Sequence, residues 1–223
     1  NELINEGTLV KSAGEGGSTL CNVWTYRLRG ELRSETSTFE FTNTLVFEDS
    51  STVTGTGDMI IHATCSLPGA VEFTAPSYWT GGTWTGSGGL ITGLLVWSGG
   101  TSNGSWKVDT DGTLRIIEGT GVLKRMNTSA VIECAGTVEI ASGTLNGFNS
   151  SIIRVLEDGL FSATGTAIMN EFNGNNVLEI QSGGQLASSA DSDLRVDWMI
   201  DNDGTVSTPA GRLTCHGGGT STG

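Results

Sequence analysis

The chain has 223 residues, of which 36% are hydrophobic and 16% charged, with 34 glycines and three prolines. That profile, filled out by Ser, Thr and Asn, fits short strands joined by tight turns, and so few prolines exclude a stiff linker or a collagen. A formal charge of -13 argues against a nucleic-acid partner, because phosphate backbones need Lys and Arg on the contacting face, and no apolar run is long enough for a membrane span.

LINEGTLVKSAGEGG at 3–17 reads as strand (Leu3, Ile4), turn (Asn5, Glu6, Gly7), strand (Thr8 to Val10) and a Gly-rich loop, so the pattern begins at once and shows no cap. STFEFTNTLVFEDS at 37–50 puts Phe39 and Phe41 on one face and Glu40 and Thr42 on the other, the period of a half-buried strand. LITGLLVW at 90–97 is the densest apolar run. LKRMNTSAVIECA at 123–135 comes nearest to a helix, but its Asn, Thr, Ser and Val predict a turn followed by a strand. SIIRVLEDGLFSA at 151–163 and VLEIQSGGQL at 177–186 alternate again, and TCHGGGTSTG at the end reads as a flexible tail.

Gly-Thr or Gly-x followed by an apolar residue recurs throughout. It stands as GTL at 7–9, GEL at 30–32, GTW at 82–84, GTL at 112–114, GTV at 136–138, GTL at 143–145, GTA at 165–167, GQL at 184–186 and GTV at 204–206, with GTG at 55–57 as a looser form. From Gly7 to Gly204 the marks lie roughly 25 residues apart, a period that signals a solenoid. The prediction is an all-β fold: a single parallel β-helix (β-solenoid) of about eight or nine irregular coils over residues 1–215, with 216–223 as a tail. Coils stacked about 4.8 Å apart would make a rod roughly 40 Å long. The alternative, a β-sandwich, requires turns every ~8–12 residues and more hairpins.

INEGTLVKSAGEGGSTL (4–20), WTGGTWTGSGGL (79–90), DTDGTLRI (109–116) and CAGTVEIASGTL (134–145) resemble the Gly/Thr-rich repeats of large bacterial surface and secreted, adhesin-like proteins. The resemblance covers most of the chain. It implies an extracellular β-helix with structural or adhesive duty and names no catalytic residue.

The acidic run DSDLRVDWMIDNDG at 191–204 is the best candidate for chemistry, since paired carboxylates on outward strand faces serve as general acid and base or hold calcium. Against that, Asp-Asn-Asp-Gly is turn chemistry, and Asp109-Thr110-Asp111-Gly112 repeats it at another mark. Asp201 and Asp203 remain weak calcium candidates; neither an EF-hand loop nor a nonapeptide calcium repeat is present, and no other metal or cofactor is expected. Trp79, Trp84 and Trp106 are candidates for stacking on sugar rings, with core filling as the competing role. STVTGTG (51–57) and TGGTWTG (80–86) project threonines in the manner of an ice-binding face, but the irregular repeat intervals give this little support. His62 and His216 are the only histidines, which leaves little for nucleophilic catalysis, so no enzyme is expected. N-x-S/T acceptors stand at Asn103, Asn127 and Asn149.

Cys21 and Cys215 fall in the first and last coils, and Cys65 and Cys134 about three coils apart, all too far for a disulfide, which needs Cα atoms within about 7 Å. The thiols are then buried and free, or Cys21 of one copy meets Cys215 of another. Exposed end edges invite pairing with another chain. The expected function is therefore an extracellular or cell-surface structural protein that stacks head-to-tail with copies of itself into a fibre, stalk or adhesive layer. Its assembly interface would comprise Leu3, Ile4, Thr8, Leu9, Val10 and Cys21 at one end and Leu213 and Cys215 at the other. The alternative is a carbohydrate-binding or polysaccharide-cleaving β-helix with surface glycans as partners.

Overall fold

A computed structural model describes residues 2–13, 19–22, 24–119 and 121–222. Regular structure among these residues is entirely β, in thirty short strands that pair in parallel with the strand one turn on. Three strands make a turn. Face 1 begins with Glu2–Asn5, Thr25–Leu28 and Thr44–Phe47; face 2 with Thr8–Lys11, Glu31–Ser34 and Ser51–Gly55; face 3 with Thr19–Cys21, Phe39–Phe41 and Met59–Ile61. Face 3 is a ten-stranded sheet. Faces 1 and 2 merge into one twenty-stranded sheet because Thr83–Ile91 and Gly100–Val108 run through the corner between them unbroken.

The chain is thus a parallel β-solenoid of about ten turns, close to the eight or nine that the glycine marks imply. The marks undercount because they sit at different corners. Gly7 and Gly30 precede face 2, Gly82 and Gly165 precede face 1, and Gly112, Gly136, Gly184 and Gly204 precede face 3. Turn length varies widely: Trp84 pairs with Ser102, 18 residues on, whereas Ala167 pairs with Leu194, 27 residues on. Residues 216–222, expected as a tail, continue the stack, with Gly219–Ser221 paired to Ile200–Asn202.

Period-2 alternation sends every second side chain inward. On face 2, Leu32, Val53, Phe73, Ile91, Val108 and Cys134 follow one another in register, all fully buried. Each such side chain contributes about 1.5–3 kcal/mol by leaving water. The widest residues cluster in the middle turns. Trp79 stacks on Trp97 at 4.6 Å and 8°, and on Trp84 at 4.5 Å; Trp84 stacks in turn on Trp106 at 4.6 Å and on Phe73 at 5.7 Å. Parallel stacking superposes like positions of successive turns, so bulky aromatics meet face to face.

The corner entering face 3 explains the recurring glycines. Gly93, Gly112, Gly136, Gly159, Gly184 and Gly204 lie above one another, each carbonyl except the last accepting from the amide that follows the next glycine. A Cβ on Gly136 would lie 2.0 Å from the Asp109 carbonyl oxygen and 2.5 Å from that of Gly112. Close approach of backbone to backbone, and no special dihedral, demands glycine there.

Candidate functional site

The residues expected at an assembly interface do occupy the two edge turns. Leu3 is in register with Tyr26 and thus continues a buried column, yet it is 45% exposed where Tyr26 is 2% exposed. Ile4 and Val10 are exposed at outward positions over Arg27 and Arg33, Thr8 donates to Glu31, and Leu9 packs partly on the core. Cys21 ends the strand Thr19–Cys21; its side chain lies outside the described residues. At the opposite edge, Val206 is 42% exposed although it follows Leu186, 1% exposed, in register. Leu213 stands over Leu194, and Cys215 over Val196. The inward columns therefore run out to both edges, and the apolar side chains there lie open.

Ion pairs brace the first edge along its outer faces. Arg27 bridges Glu2 at 2.8 Å and Glu48 at 2.5 Å, and Arg29 reaches Glu6 at 2.9 Å. At the last edge Asp197 is held by Arg195 and by His216 Nδ1 at 3.0 Å. The Arg195 guanidinium, helped by His216 and opposed by burial, holds the Asp197 carboxyl below its ordinary range. A carboxylate pinned in that way is a poor proton donor.

The two calcium candidates are engaged with the next turn: the Thr220 hydroxyl donates to Asp201 and the Thr222 hydroxyl to Asp203. No cluster of three or more His, Cys, Asp or Glu able to hold a metal occurs among the described residues. Asp109-Thr110-Asp111-Gly112 closes as a tight turn, with the Gly112 amide donating to the Asp109 carbonyl at 2.8 Å.

The sugar-platform expectation for the tryptophans is corrected. Trp79, Trp84 and Trp106 are 1%, 0% and 5% exposed, and their ring faces are spent on each other. The alternation could have revealed this, since Trp79 and Trp84 occupy inward positions of their strands. Cys65 and Cys134 are buried and free, and Cys215 is free and exposed. Burial pushes the Cys134 thiol up to about 11 and raises the Cys65 thiol well above its ordinary range, so neither supplies a thiolate nucleophile.

Three features lie beyond what the sequence patterns picked out. Thr25, Thr44, Thr64, Thr83 and Thr101 form one outward column on face 1 although their turns differ in length, because corners absorb the difference. The second outward position carries Arg27, Val46, Ser66, Thr85 and Asn103, so among these five turns of face 1 the two outward positions are both Thr only at Thr83 and Thr85. Lys124 points inward between Gly100 and Leu145; burial lowers its pKa, with Glu118 opposing. A groove of about 630 Å³ crosses the corner between faces 1 and 2, where the GSGG run at 86–89 passes over the edge of Trp106.

What the fold defines is a class, the parallel β-solenoid. No family model, no curated protein and no solved structure matches this chain.

Proposed function

We propose that this protein is an extracellular structural β-solenoid whose turns stack end to end, copy on copy, into a fibre, stalk or adhesive surface layer. The observation that supports the reading is the stack itself: like strands pair in parallel at every turn, and inward side chains such as Leu32, Val53 and Phe73 superpose in register. Pairing of like strands is not limited to one chain, so a turn of another copy can join by the same backbone hydrogen bonds and apolar contacts. A contact between unlike ends does not close on itself, and the product is a linear assembly.

Electron microscopy and light scattering of the purified protein test it. Rods longer than one copy are expected at high concentration, and Leu3→Lys should shorten them. Uniform single-copy particles at every concentration would sink the reading.

A further inference from the structure

The groove at the corner between faces 1 and 2 owes its form to turn length. In the fourth turn, Pro68, Gly69 and Ala70 bulge between the strands Thr64–Leu67 and Val71–Phe73. The next two turns have no such loop: Thr83–Ile91 and Gly100–Val108 cross the corner as single strands, with one register shift between Gly86 and Gly89. The turn after that bulges again, between Lys124–Met126 and Val131–Cys134. Two recessed corners between projecting ones leave a channel across the rod about 10 Å wide, two strand spacings.

Its floor is built tightly. A Cβ on Gly88 would lie 1.4 Å from the Gly69 carbonyl oxygen, and one on Gly89 would lie 2.7 Å from Trp106 Cε3. Ser87 and Ser105 offer hydroxyls at the bottom, while Leu90 and the edge of Trp106 supply apolar surface. Along face 2, Lys107, Glu133 and Arg154 follow one another in register, with Arg154 Nη1 3.0 Å from Glu133 Oε1.

From this lining we infer that the groove binds a single strand of a neutral polysaccharide, with Lys107, Glu133 and Ser105 bonding its hydroxyls and Leu90 beneath its apolar ring face. Alternating donors and acceptors suit hydroxyls, which both give and accept hydrogen bonds. An anionic polymer would meet Glu133, and the overall charge of -13 repels it further. An extended peptide would seek an unpaired strand edge, and none is available here: Thr83–Ile91 is paired on one side to the preceding turn and on the other to Gly100–Val108. This inference rests on the corner geometry and is independent of end-to-end stacking.

The test is calorimetry and tryptophan fluorescence on the whole protein with cellohexaose, mannohexaose, maltohexaose and chitohexaose, against hexagalacturonate and an extended hexapeptide. At least one neutral hexasaccharide should bind saturably with Kd at or below about 1 mM. Ser87→Trp, which fills the exposed channel, should weaken it at least about tenfold, and Lys107→Ala and Glu133→Gln roughly fivefold or more each. Ser207→Trp, on exposed face 3, should change nothing. Lys107 is exposed, so its variant keeps the test valid should Ser87→Trp disturb folding. The inference is overturned if no neutral hexasaccharide saturates, if Lys107→Ala binds as the parent does, or if hexagalacturonate or the peptide binds more tightly than every neutral sugar.

Discussion

Trp84 tests whether the stacked aromatic interior holds the middle turns together. Its ring lies 4.5 Å from Trp79, 4.6 Å from Trp106 and 5.7 Å from Phe73, and it is fully buried. Trp84→Ala removes the ring from a closely packed site and should cost about 3–5 kcal/mol, a large share of the ~5–15 kcal/mol by which domains are ordinarily stable. Trp84→Phe should behave differently. The indole Nε1 of Trp84 is buried without a hydrogen-bond partner. An unpaired buried N–H carries a penalty of about 1–3 kcal/mol, which phenylalanine removes while keeping a ring in the stack. The phenylalanine variant should therefore lose less than about 1.5 kcal/mol. Trp24→Ala, at an exposed residue, serves as the reference and should fall within about 0.5 kcal/mol of the parent. Urea unfolding followed by far-ultraviolet circular dichroism measures all three without depending on tryptophan emission. Equal losses for the alanine and phenylalanine variants would refute the orphan N–H argument, and a Trp84→Ala loss no greater than that of Trp24→Ala would refute the aromatic-stack argument as a whole.

Gly136→Ala should destabilise by about 1–3 kcal/mol, since its Cβ meets backbone oxygens at 2.0 and 2.5 Å, whereas Gly7→Ala, with nothing within 4 Å, should be near neutral by the same denaturation assay. The Asp197 carboxyl is held below its unfolded range, so its contribution is fully present above the unfolded pKa of about 3.9 and is lost as pH falls through the lower folded value. Acid titration of thermal stability should show this loss, and Asp197→Asn should remove that part of the acid dependence. With a disulfide reagent near neutral pH, Cys215 should react in the folded protein, while Cys65 and Cys134 should react only after unfolding, with mass spectrometry assigning the sites.

The strand faces were legible because alternation is local. Phe39 and Phe41 read as one face against Glu40, and both are buried. The same rule places Trp79 and Trp84 inside, but an aromatic on a Gly/Thr-rich strand resembles a sugar platform until the inward set is known. Which positions point inward depends on register with neighbouring turns, and register is not written in any single strand. The terminal TCHGGGTSTG misled for a related reason: its composition is that of a loose tail, yet Gly219, Thr220 and Ser221 need only a paired neighbour in Ile200–Asn202 to become a strand.

Turn length and register are decoupled in this fold, and that separation governs where function can reside. Faces keep their register from turn to turn, so Lys107, Glu133 and Arg154 line up even though the corners between them differ. Insertions and deletions are taken up at corners, where they change shape without shifting any inward residue. The shortest turns, around Gly86–Gly89 and Gly104, create the groove, and the longest runs from Ala167 to Leu194. Lengthening the Gly86–Gly89 corner by two residues should therefore fill the channel while leaving Trp84 and Ile91 in place. The measurable result is loss of ligand binding with an unchanged far-ultraviolet spectrum; a collapse of the β signal would show that corner and face are coupled after all.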